Sequence, residues 1–225
     1  VQTHQRTTEP IPARLYGSLD AAKVRIEPRD QTEKQVPHEA WRDMKVGCWY
    51  KVEAVPSVQR STRQQLVVKR GQASLRATDI RYYCDIADAA TFGELMWATG
   101  CAAGADVTPE LIFVCDGAAW IWNQITDYYP AAIQIVDWYH AADRLVRVAQ
   151  AAFTTPALRQ AWLERVTEQL WQGHVELVIH ACETLAPDCS EARQAATYFA
   201  HNAARMRYAE FRAANYFIGS GTVES

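Results

Sequence analysis

Two short apolar runs, Glu110–Cys115 and Ile133–Val136, flank a stretch of helical periodicity, and this unit constrains the chain more than any other feature. Between them Trp122, Ile125 and Tyr129 recur at the spacing of one helix face, and Pro130 closes the stretch. A strand–helix–strand unit with connections this short dictates a parallel strand pair with a helix lying over it. The upstream part reads differently. Arg14–Leu19, Lys23–Glu27 and Lys45–Val52 are strand-like pieces; Val24 and Ile26 alternate with charged neighbours, and Pro28 and Pro37 punctuate the intervals. Leu66–Lys69 reads as a further short strand or a hairpin extension. Together these pieces predict an antiparallel meander.

The remaining periodicity is helical. Helices are expected over Asp88–Ala103, Ala118–Tyr129 and Tyr139–Phe153. From Ala157 to Phe217 no strand is expected: Leu158, Trp162, Val166 and Leu170 form one apolar stripe, and Val175, Val178, Ile179 and Cys182 form another. Ser190 is placed to cap a long helix running through Tyr198, Met206 and Phe211. Antiparallel strands followed by βαβ units describe an α/β, ribonuclease H-like mixed sheet with an all-helical insertion. The expected organisation is a core over residues 1–153, the insertion over 154–217, and the start of a final element over 218–225.

Composition excludes some functions. No uninterrupted apolar run is long enough to span a bilayer, because Asp116 breaks the nearest one, Leu111–Trp122. The first residues lack the apolar stretch of a secretion signal. The chain has no initial Met and stops just after Glu224, so it is expected to be a piece of a longer protein. The six cysteines (Cys48, Cys84, Cys101, Cys115, Cys182, Cys189) show no zinc-type spacing and read as reduced structural thiols. The net charge of −3 does not announce a nucleic-acid binder. A local stretch with Arg60, Arg63, Lys69, Arg70 and Arg76 can nonetheless engage phosphates, or serve simply as a solvated loop.

Acidic residues at the ends of the apolar runs carry the chemistry. Asp20 closes Leu15–Leu19, Asp116 closes Leu111–Cys115, and Glu224 follows Gly219-Ser220-Gly221. Carboxylates gathered by a fold are what a hard cation such as magnesium needs, and two such cations can clamp the attacking and leaving oxygens of a phosphodiester. Asp116-Gly117 also suits a hairpin turn, but the helix-like residues that follow argue against one. A carboxylate at the C-terminal edge of a parallel strand instead sits where open α/β sheets bind ligands. Asp20 pairs with it if the first strand lies beside the fourth; by itself it also suits a turn. Asp137 either caps the next helix or belongs to the site. His140 falls in that helix's first turn, placed to orient a carboxylate or contact a phosphate.

Four segments carry a resemblance to a known family: Trp41-Arg42-Asp43-Met44-Lys45-Val46-Gly47, Val114-Cys115-Asp116-Gly117-Ala118, Ile135-Val136-Asp137-Trp138-Tyr139-His140-Ala141 and Ile218-Gly219-Ser220-Gly221-Thr222-Val223-Glu224-Ser225. In that order they resemble bacterial insertion-sequence transposases of the DDE superfamily, closest to the Kra-type group related to Mutator and hAT elements. The resemblance implies that Asp20, Asp116 and Glu224 are the catalytic, metal-binding acids, with Ala21 standing where such proteins usually have Gly. It implies that Asp137 and His140 match the [Cys/Asp]-x-x-His signature, His140 assisting strand cleavage. It further implies two Mg²⁺ ions (Mn²⁺ able to substitute), DNA as partner, a homo-oligomeric active assembly and a bacterial cytoplasmic location at the nucleoid. The alternatives are another ribonuclease H-like nuclease and a decayed or domesticated copy that binds nucleic acid without cutting it.

Overall fold

The computed structural model describes residues 10–26, 41–54 and 75–219. Three strands, β1 (Arg14–Arg25), β2 (Trp41–Ala54) and β3 (Leu75–Asp85), pair antiparallel in sequence order. Helix α1 (Ala89–Ala103) then leads to β4 (Glu110–Cys115), helix α2 (Ala119–Tyr128) to β5 (Ile133–Val136), and α3 (Trp138–Ala152) follows. β4 returns to lie parallel to β1, and β5 parallel to β4. The result is an α/β fold with one open mixed sheet in the order β3-β2-β1-β4-β5. The fourth strand does lie beside the first.

Alternation along the strands sends side chains to two faces. Trp49 and Phe113 form one face, with ring centroids 5.4 Å apart, and Tyr129 at the end of α2 packs 5.8 Å from Trp49. The Trp49 indole N–H donates to Thr99 Oγ1 of α1 at 3.0 Å, so the one polar atom of this large ring is satisfied. Tyr16 and Tyr50 stack on the opposite face at 5.4 Å, with the Phe217 ring edge-on to both. Gly17 is required beneath Phe113 and Trp49 on the first face: a Cβ there would lie 2.5 Å from Phe113 Cε1.

Four further helices, α4 (Pro156–Trp171), α5 (Val175–Leu185), α6 (Ser190–Asn202) and α7 (Tyr208–Ala213), follow without an intervening strand. They share one buried hydrophobic cluster with the sheet. Trp138 of α3 contacts both Trp171 (4.8 Å) and Tyr208 (5.0 Å), and the Tyr208 hydroxyl donates to the Val136 carbonyl at 3.0 Å. Asn202 is buried; its Oδ1 accepts from the Trp122 indole at 2.8 Å.

Several expectations need correction. Arg14–Leu19 and Lys23–Glu27 are not separate strands: β1 runs through Asp20 without a turn, because β2 pairs with it from Tyr16 to Arg25. The true third strand, β3, overlaps the end of the basic stretch, where no strand is expected, while Leu66–Lys69 lies outside the described residues. The long helix from Ser190 ends at Asn202. A 3-10 turn at Ala203–Arg205 redirects the chain so that Met206 and Tyr208 are buried. Its N-cap is Cys189, with no side-chain capping bond, rather than Ser190.

Candidate active site

Three aspartates fall in one row at the C-terminal edge of the parallel strands. The last printed pairs are Gly17↔Phe113 between β1 and β4 and Cys115↔Val136 between β4 and β5. Continuing both registers brings Asp20, Asp116 and Asp137 into one row on neighbouring strands, which run about 4.8 Å apart. The Leu19 N–H donates to Cys115 Sγ at 3.4 Å, so β1 and β4 are still side by side there. Asp20 is therefore mid-strand, at the point where β1 leaves β4 and continues with β2 alone. Burial pushes the Cys115 thiol well above its ordinary range; the Leu19 N–H opposes this, and the negative charges of Asp116 and Asp20 add to it.

The Asp116 loop is tightly held. Asp116 Oδ1 accepts from the Ala118 N–H at 2.9 Å, the local bond by which an Asp stabilises the turn into a helix. Its backbone carbonyl accepts from the Tyr198 hydroxyl of α6 at 2.7 Å. Gly117 follows at φ +97°, a conformation that disfavours side chains, and a Cβ there would meet the Tyr198 ring at 2.7 Å. The Asn202 amide donates to the Gly117 carbonyl at 3.4 Å. Burial raises the Tyr198 pKa most. Arg144 opposes that, while the charges of Asp116 and Asp137 raise it further, so the phenol is a neutral donor.

Asp137 differs from its two neighbours in being buried, at 1% exposure. It caps α3: Oδ1 accepts from the His140 N–H at 2.8 Å and lies 3.2 Å from His140 Nδ1. One carboxylate thus ends the helix and orients the imidazole. The Asp137 N–H donates to the Cys115 carbonyl at 2.7 Å, and the Trp138 N–H to the Ile218 carbonyl at 2.9 Å. The latter bond brings Ile218 to this edge, while the preceding Phe217 N–H donates to the Tyr16 hydroxyl at 3.1 Å. A Cβ on Gly219 would lie 3.8 Å from Asp137 Oδ2.

The structure thus gathers Asp20, Asp116, Asp137 and His140. Glu224, Arg60, Arg63, Lys69 and Arg70 lie outside the described residues. Arg76 is exposed on the edge strand β3, opposite Glu53. Asp20 pairs with Val46, seven residues back along β2, so Arg76 stands roughly 20 Å from the aspartates and does not join them. Tyr198 and Arg144 also belong to the site and carry no local sequence signal; Tyr198 is 82 residues from the backbone group it holds.

Asp20 and Asp116 offer oxygen donors only and are half-buried, which fits a hard cation that takes one or two carboxylates and completes its shell with substrate and water. Among the described residues no group of three or more His, Cys, Asp or Glu converges as a metal site. Among the described residues, too, no helix is long and apolar enough to cross a membrane. Compared with models of known protein families and with curated proteins, the chain matches none.

Proposed function

We propose that this chain is the ribonuclease H-like catalytic core of a DDE-type transposase, carrying out metal-dependent DNA strand cleavage and strand transfer at element ends. The observation that carries this reading is the placement of Asp20 beside Asp116 where antiparallel β1 meets parallel β4. The strand order supports the same fold, with three antiparallel strands followed by two parallel ones. Asp20, Asp116 and Glu224, five residues beyond Gly219, are the proposed ligands for Mg²⁺, two ions being expected. Bound there, the metal would supply charge neutralisation at the phosphodiester oxygens.

The protein's own contribution is positioning. Tyr198 and Gly117 fix the backbone that aims Asp116. Asp137 holds the His140 imidazole by Nδ1 and the α3 N-terminus by its first-turn amide, setting the ring at the site mouth, where 39% of it is exposed. A half-exposed imidazole beside a scissile phosphate can contact an oxygen or relay a proton. Holding reactants in line contributes most of the acceleration in such reactions.

The test is nicking and strand transfer by the full-length protein, with Mg²⁺, on DNA carrying the sequences that flank its gene. Asp116→Asn is expected to lower both by at least about 100-fold, the scale of losing one charge-stabilising group. Unchanged activity would remove the assignment. Strand joining separates a transposase from a nuclease that only hydrolyses. Mn²⁺ binding that is lost in Asp116→Asn separates a catalytic core from a copy that merely binds nucleic acid.

A further inference from the structure

We infer that Arg144, held over the Tyr198 ring, forms an anion subsite that takes one phosphate of the nucleic-acid strand beside Asp116. This rests on the active-site reading above and adds a ligand contact to it. Arg144 follows His140 by one helical turn on α3, so both side chains rise from the same face. Its guanidinium carbon lies 3.9 Å from the centroid of the Tyr198 ring. The hydroxyl of that ring is bonded to the Asp116 carbonyl, so the cation stands one ring's width from the row of aspartates.

The other stacked cations show why Arg144 is different. Arg14, over Tyr216, is paired with Glu110 at 2.7 Å. Lys45, over Trp120, donates to the Ala87 carbonyl. Arg205, over Trp122, donates to Gln134 Oε1, and Arg212, over Trp171, donates to the Trp171 carbonyl. Arg147, the next arginine on α3, is paired with Asp143. Among the described residues Arg144 alone of this group is exposed and bound only to the phenol it stacks on, with no carboxylate or carbonyl partner.

A guanidinium lying over an aromatic face keeps its in-plane N–H fork for a ligand, and that fork matches two phosphate oxygens. A polyanion approaching three carboxylates gains from a fixed cation at their rim. Carboxylate ligands would meet the same fork, but they would not change the response to salt on DNA as a phosphate contact does.

The experiment uses the full-length protein and gene-flanking DNA, with Ca²⁺ replacing Mg²⁺ so that binding is read without cleavage. Arg144→Gln is expected to weaken binding about 10-fold and to reduce the log Kd against log salt slope by about one. Arg144→Lys should restore part of the affinity and the slope. Replacing phosphates one at a time by neutral methylphosphonate should reveal one position whose loss matches that of Arg144→Gln and is not added to it. Tyr198→Phe keeps the ring and should keep the slope. An unchanged slope for Arg144→Gln, or methylphosphonate losses that add to it at every position, would overturn the subsite. Because these are binding measurements, they are judged separately from Asp116→Asn cleavage, whose failure would strike the active-site reading instead.

Discussion

The two halves of the sheet are built on different terms. In the parallel half, Ile112, Phe113, Val114 and Cys115 of β4 and Ile135 and Val136 of β5 are all essentially inaccessible, enclosed by helices on both faces. In the antiparallel half, most of β3 and the far ends of β1 and β2 are in solvent, and Trp41, Ile80 and Tyr82 are exposed. Parallel sheets are buried by their crossover helices, whereas antiparallel edges are kept soluble by charge and twist. The contrast teaches where a site can form. The aspartates occupy the seam, where a rigid buried frame ends and solvent begins.

Five experiments break or sharpen that contrast. The largest effect is expected from Phe113→Ala in β4. Its ring contacts Trp49 and Tyr129, and truncation should cost about 3–5 kcal/mol in urea denaturation; a loss below about 1 kcal/mol would show that the parallel half is not the rigid one. Asp137→Ala removes a buried helix cap at the seam and should cost about 1–2 kcal/mol, whereas Asp137→Asn, which can still accept from the His140 amide, should lose less.

Alkaline titration comes next. Burial pushes the Cys48 thiol up to about 12, from an ordinary value of 9.0, and also pushes Cys115 well above its range. The unfolded thiols ionise first, so stability is fully present below about pH 9 and is expected to fall as pH rises from there toward 12. A midpoint that instead rises over this interval would contradict the burial. Native labelling with a thiol reagent should accordingly modify the exposed Cys84 of β3 promptly and spare the other cysteines until denaturant is added. The smallest effect is expected at the outer edge: Tyr82→Ala should change stability by no more than about 0.5 kcal/mol.

The same division governs what could be read from the amino-acid sequence. β4 and β5 are mostly apolar between breaks, and their expected limits coincide with the observed ones. β1 reads as two pieces because Asp20 and Lys23 interrupt its apolar run; its continuity comes from β2, a partner that local pattern does not reveal. β3 escapes because Arg76, Asp79, Arg81 and Asp85 on an exposed edge give no clean alternation, and Asp79 adopts φ 49°. At the site, Asp116 and the capping role of Asp137 follow from position alone. The burial of Asp137, and the hold of Tyr198 and Arg144, depend on α6 folding back over a distant loop.

Gly17 fixes more than the packing around it. Because β1 is clasped by β2 on one side and β4 on the other, a one-residue slip would turn every side chain over, sending Asp20 to the face opposite Asp116. The only residue in β1 that fits beneath both Phe113 and Trp49 is the one with no side chain. A single missing methyl group therefore acts as the locating notch for a charge three positions away.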